Sequence, residues 1–178
     1  MKQKTVFVTE AAVIAALYAA LTYICAVFGI AYAGIQFRLS EMLCVLPLFT
    51  PAAVPGLAVG CALANIVSTV NPADIVIGSL ATLLSAWLTR KCRFIAAGGY
   101  PLLSMLMPVV INAVFIGAEL SFFYTSSESR FTVFVTSALS VFIGEAAVVF
   151  IPGSVLMRFI RKNAGLRSFL ASAELRRQ

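Results

Sequence analysis

Eighteen consecutive residues, Ala11 to Phe28, carry no charged side chain, and that length of helix is close to what the hydrocarbon core of a bilayer requires. In water such a helix would need apolar cover on every side. Similar runs recur along the chain: 61% of its 178 residues are hydrophobic and 11% are charged, where soluble domains are about half apolar and a quarter charged. The chain therefore reads as an all-α membrane protein. At about 20 residues per crossing, its length admits six spans with short loops, so residues 1–178 are expected to form a single integral membrane domain.

Lys2 and Lys4, the apolar run and Ala31-Tyr32-Ala33 imitate a cleavable secretory signal, but the run is longer than the usual h-region, and it is expected to persist as a helix. Glycine, proline and charge punctuation then place spans at about 5–28, 39–50, 55–70, 74–90, 101–124 and 131–160. The second is only half a normal span. Asn71-Pro72 marks a turn, after which Asp74 is placed to cap the fourth helix. Pro108 suggests a kink in the fifth helix, and Pro152-Gly153 a bend in the sixth.

The net charge of +6 does not point to nucleic acid, because the basic residues sit where apolar runs end. With six spans, Lys2, Lys4, Arg90, Lys91, Arg93, Arg158, Arg161, Lys162, Arg167, Arg176 and Arg177 fall on one side and only Arg38 and Arg130 on the other. That asymmetry predicts a multi-pass protein of the cell membrane with both termini in the cytoplasm.

A carboxylate or amide within a span is costly unless paired or wetted, so each is a functional candidate. Arg38, Glu41, Asn65, Asp74 and Glu119 share one depth near the outer ends of their spans. Asn112 lies seven residues from Glu119 on the same helix face, and Glu145 lies deeper. Two readings are open. Arg38 pairs with Glu41 three residues along and the asparagines bond across helices as packing contacts, or the groups line a pocket open to the outside. Their convergence on one leaflet, beside Tyr32, Gln36 and Phe37, favours the pocket.

Catalysis lacks its usual parts. The chain has no histidine, which removes Ser-His triads and zincin motifs, and no G-x-x-x-x-G-K-[ST] phosphate loop. No metal or cofactor is expected. Cys25, Cys44, Cys61 and Cys92 form no C-x-x-C pair and read as small packing residues. Two alanine stripes run along the first helix, Ala11, Ala15 and Ala19 beside Ala12, Ala16 and Ala20, and small residues at this spacing let a second helix approach closely in lipid. The stripes suit either internal packing or a partner subunit.

Several blocks together resemble the queuosine-precursor family, QueT, of S-components of energy-coupling factor (ECF) transporters. They are the first-helix alanines, Phe37-Arg38-Leu39-Ser40-Glu41, the stretch from Pro51 to Leu57 with Gly60-Cys61 and Asn65, the stretch from Asp74 to Leu84, Asn112-Ala113 with Gly117-Ala118-Glu119-Leu120, and Gly144-Glu145. The resemblance runs from about Glu10 to Arg161. It implies a six-helix substrate-binding subunit that captures a 7-deazaguanine base, such as aminomethyl-deazaguanine or queuine, and works with a transmembrane coupling subunit and two ATPases. Carried onto this sequence, it makes Glu41, Asp74, Glu119 and Glu145 candidate acceptors for the base and its cationic arm. Asn65 and Asn112 become edge readers, Arg38 the counter-charge of Glu41, and Phe37, Tyr32 and Phe115 stacking rings. Ala12, Ala15, Ala16 and Ala19 become the partner interface. An S-component for another vitamin, a non-transporting structural subunit and a small intramembrane enzyme are the rival readings.

Overall fold

In the computed structural model the described residues are 2–29, 37–66, 72–95, 98–123 and 129–175. Among them the chain is entirely helical, without a strand. Helix α1 spans Lys2–Val27, a 3-10 helix spans Leu39–Leu48, and α2 to α7 span Ala53–Asn65, Asp74–Lys91, Leu102–Phe123, Arg130–Phe150, Pro152–Lys162 and Ala164–Leu175. Three stretches are long and apolar enough to cross a bilayer, Lys4–Val27, Leu102–Phe123 and Arg130–Lys162, while the 3-10 helix and α2 are apolar but shorter. The protein is an all-helical membrane protein.

The 3-10 helix, expected as a half-length second span, is the hub. The 3-10 helix packs against each of α1 to α6, and Ser40, Glu41, Leu43, Cys44, Val45, Leu46 and Pro47 are all buried. Rising about 2.0 Å per residue, ten residues in this form reach about 20 Å, where an α-helix would reach about 15 Å. Runs of this length are rare because the hydrogen bonds are poorer. Here surrounding helices hold the segment: Arg90 donates from α3 to the Pro47 carbonyl at 3.0 Å, supplying a cation where the last carbonyls lack partners.

Small residues set the closest helix contacts. A Cβ at Gly56 would lie 2.8 Å from the Ala11 carbonyl oxygen, and one at Gly60 would lie 2.7 Å from Tyr18 Cβ and 2.9 Å from the Ala15 carbonyl oxygen. The Gly56–Gly60 face of α2 thus seats the Ala11/Ala15/Ala19 stripe of α1. Gly117 of α4 makes a similar seat for Ala138 of α5, whose Cβ would be 2.8 Å away.

The bend expected at Pro152-Gly153 is present: α5 ends at Phe150 and Pro152 begins α6, a place in the first helical turn that suits proline. Beyond the expected spans, a further helix, α7, follows Lys162. The Asn163 side chain starts it by accepting from the Leu166 N–H at 3.1 Å, and Leu170 anchors it in the core beside Ile160 and Leu46. Asp74 does not cap α3. It is the first helical residue, Ala73 is the cap without a side-chain bond, and the carboxylate is engaged elsewhere.

The seam between α1 and α2 makes a specific demand. Gly60→Ala drives a methyl group into backbone and a branch-point carbon, neither of which yields readily, and is expected to destabilise the protein by ~1–3 kcal/mol. Gly165→Ala, whose Cβ meets only Asn163 Oδ1 at 3.4 Å, should be neutral or slightly stabilising. Thermal unfolding in detergent compares the two, and equal midpoints would show that the seam is not tightly packed.

Candidate functional site

Seven polar residues from five elements are buried, Arg38, Glu41, Asn65, Asp74, Asn112, Glu119 and Glu145, and all but Glu119 are linked around one cavity. Arg38 enters from the residue preceding the 3-10 helix and its guanidinium reaches α3, where Nη2 lies 3.4 Å from Asp74 Oδ2. The pairing expected between Arg38 and Glu41 is therefore replaced by one across elements. Glu41, one turn into the 3-10 helix, accepts instead from Tyr18 Oη of α1 and, on its other oxygen, from Cys44 Sγ at 3.0 Å.

Asn65, at the end of α2, donates to the Asp74 backbone carbonyl at 2.9 Å. The contact needs Gly78, because a Cβ there would stand 2.8 Å from Asn65 Nδ2 and 3.0 Å from Asp74 Oδ1. Asn112 of α4 donates to Glu145 Oε1 of α5 at 2.7 Å, so the deepest carboxylate has a partner. These groups enclose a cavity of about 20 Å³ lined by Arg38, Glu41, Cys61, Gly78, Thr82, Asn112, Ile116, Val141, Gly144, Glu145 and Val148. That is room for about one water. Five elements converge on it, and the charged groups of Arg38, Glu41 and Glu145 face it beside the polar side chains of Asn112 and Thr82.

Residues 8–162 match the QueT transporter family. The chain belongs to that family. A stretch of 83 residues is 36% identical to the queuosine precursor transporter QueT of Lactococcus lactis subsp. cremoris (strain MG1363), covering 47% of this chain and 48% of that protein. The alignment thus spans about half the length of each. No solved structure matches.

The remaining candidates of this QueT-family chain are not all at the cavity. Glu119 is buried, and neither of its carboxylate oxygens has a hydrogen-bond partner among the described residues. It lies with Phe115 in a separate apolar groove of about 360 Å³ between α3 and α4, with Ile77, Leu80, Val114, Ala118, Phe122 and Phe123. Phe115 therefore does not lie over the polar cavity. Phe37 is 39% exposed and does not line it either. Tyr32 lies outside the described residues.

The alanine stripes separate. Ala15 and Ala19, expected at a partner interface, are buried within the chain, with Ala15 seated on Gly60, whereas Ala12, Ala16 and Ala20 are exposed. Sequence reasoning also passed over Tyr18, Cys61, Gly78, Thr82 and Gly144. Tyr18 was detectable, since a phenol inside an apolar span is subject to the same rule as a carboxylate. Glu10 is a further omission: it is buried in α1, and both its oxygens lack a partner among the described residues.

Loss of the Arg38 guanidinium strands a buried anion. Arg38→Met is expected to destabilise the protein by about 3 kcal/mol, and adding Asp74→Asn should recover part of that. Denaturation of the single and double variants measures the coupling, and strictly additive effects would mean that the pair is not an energetic unit.

Proposed function

We propose that the chain is the solute-capturing S-component of an ECF-type importer and that it binds a queuosine precursor, a 7-deazaguanine base such as aminomethyl-deazaguanine or queuine. The observation that carries the reading is the convergence of Arg38, Glu41, Asn112 and Glu145 on one buried cavity in a chain of this family, together with the similarity to the Lactococcus queuosine precursor transporter. In this reading the chain crosses the membrane six times, through α1, the 3-10 helix, α2, α3, α4 and the α5–α6 stretch. Both termini are cytoplasmic, as the excess of basic residues on that side requires. The cavity then belongs to the half facing the outside.

A deazaguanine presents a ring N–H and an exocyclic amine side by side, which a carboxylate accepts as a pair, and its aminomethyl arm is a cation that suits another. Glu41, Glu145 and Asn112 supply acceptors and edge contacts at the cavity, with Asp74 and Asn65 holding its rim through Arg38 and Gly78. The cavity in its present form admits about one water, so capture requires its walls to part. The chain contains no phosphate loop, so energy comes from the two ATPases through the coupling subunit, and the chain itself is not an enzyme.

Binding of aminomethyl-deazaguanine, guanine and a panel of vitamins to the detergent-purified chain, followed by calorimetry, tests the assignment. A deazaguanine should bind and the vitamins should not. Selective binding of a vitamin would move the chain to another solute, and binding of nothing would favour a structural subunit.

The exposed face of α1 is the proposed seat of the coupling subunit. Ala16→Leu would hold a partner helix away and forfeit contact along the seam. It is expected to leave affinity of the isolated chain near wild type while abolishing uptake in cells. Ala15→Leu, directed at Gly60, should lower thermal stability instead. Unimpaired uptake by Ala16→Leu would place the interface on another surface.

A further inference from the structure

The carboxylates around the cavity differ in what they have left to offer. Glu41 is engaged on both oxygens, by Tyr18 Oη and by Cys44 Sγ. Asp74 is held in an ion pair with Arg38. Glu145 accepts from Asn112 through Oε1, and its Oε2 is buried with no hydrogen-bond partner among the described residues. Glu145 is 7% exposed and lines the cavity. A buried carboxylate oxygen without a donor is costly and calls for a reason in a native structure.

Charge points the same way. Among the described residues Arg38 is the only basic side chain lining the cavity, and its charge is matched by Asp74. The donors on Glu41 are a phenol and a thiol, and the donor on Glu145 is an amide, so none of them brings a positive charge. Glu41 and Glu145 therefore both face the cavity without a cation, and of the two only Glu145 also has an oxygen that lacks a donor among the described residues.

We infer that Glu145 Oε2 is the anchor for a cationic amine on the captured solute, with Asn112 as the positioning residue that holds the carboxylate in place and Glu41 as a scaffold group tied to α1. The inference rests on the proposed function and adds to it the division of labour among the acids: the amine arm, and not the edge of the ring, is what Glu145 reads. An ammonium donating to Oε2 satisfies the orphaned oxygen and supplies the missing charge in one contact. A solute of the same shape without the amine leaves both unmet, and this asymmetry is a source of selectivity.

The test uses the full-length chain in detergent and two probes, 7-aminomethyl-7-deazaguanine and 7-methyl-7-deazaguanine, which share the ring and differ by the amine. The wild-type chain should prefer the aminomethyl base by at least about tenfold, the low end of what a charge-assisted hydrogen bond contributes. Glu145→Gln keeps a side-chain carbonyl for Asn112 Nδ2 but turns an N–H₂ toward the amine. It should abolish the preference by weakening the aminomethyl base alone, leaving the methyl base within about twofold, as only the interaction with the charged form is removed. Asn112→Ala should reduce the preference in the same selective way, a change in ratio that a purely structural role would not produce.

The outcomes separate the two levels of the argument. If the wild-type chain binds neither base, the proposed function fails. If it binds both equally, or if Glu145→Gln weakens both alike or neither, the assignment of Glu145 is overturned while the proposed function stands. Should Glu145→Gln not fold, Glu145→Asp, which keeps the charge but withdraws it by one methylene, must show the same selective loss for the aminomethyl base, and an equal loss on both bases overturns the assignment.

Discussion

The structure depends on keeping a charged, half-length segment at the centre of an apolar molecule. The 3-10 helix Leu39–Leu48 carries Glu41 and touches each of α1 to α6, so most of its side chains, Glu41 among them, are buried. Within a membrane every such polar group must find its partner inside the protein. Partners come from α1 in regular order: Tyr18 bonds Glu41, Thr22 Oγ1 lies 2.7 Å from Ser40 Oγ, and Cys25 Sγ accepts from the Leu39 N–H at 3.4 Å. The spacing of four and then three residues keeps all three on one face of α1. As that helix ascends, its partners step back along the 3-10 segment from residue 41 to residue 39.

This seam determines what the rest of α1 is able to do. Turning 100° per residue, an α-helix that points residues 18, 22 and 25 at the core points residues 12, 16 and 20 roughly the opposite way. The stripe at 11, 15 and 19 lies to one side, where the glycines of α2 receive it. The first helix is therefore occupied on two faces and offers its third, and the exposed alanines are on that third face. In the proposed function this places a partner helix and the solute cavity on opposite sides of a single α-helix, with Tyr18 and Glu41 between them.

Which polar residues must be buried was legible in the sequence and direction around each helix axis was not. A polar group within an apolar run needs cover inside the protein, so the burial of Arg38, Asp74, Asn112 and Glu145 followed from their positions in such runs. Direction depends on which small residues allow close approach. Glu119 and Asn112 share a face of α4, yet two turns separate them, about 10 Å. That distance puts Asn112 on Glu145 and Glu119 beside the apolar groove with Phe115. Gly56 and Gly60 were visible as residues, but without the recognition that they form a seat for alanines the two stripes of α1 were indistinguishable. The 3-10 form of the second span and the helix after Asn163 were likewise hidden, because a buried hub and a docked tail owe their conformation to tertiary contacts more than to local propensity.

An incompletely satisfied cavity is consistent with capture of a solute. A site whose every donor and acceptor is met internally gains little from a ligand, which would have to displace equivalent bonds. Here the 3-10 hub and the α1–α2 seam are packed closely, whereas Glu145 has an oxygen without a partner among the described residues next to a space sized for about one water. The cost of that oxygen is tolerable because the surrounding contacts stabilise the fold without it. In the proposed function, binding of a donor relieves that cost. A cation gains from this more than a neutral molecule of the same shape, since the bond it forms is charge-assisted in a region of low dielectric. Selectivity for an amine then follows from what the protein leaves unpaired as much as from what it presents.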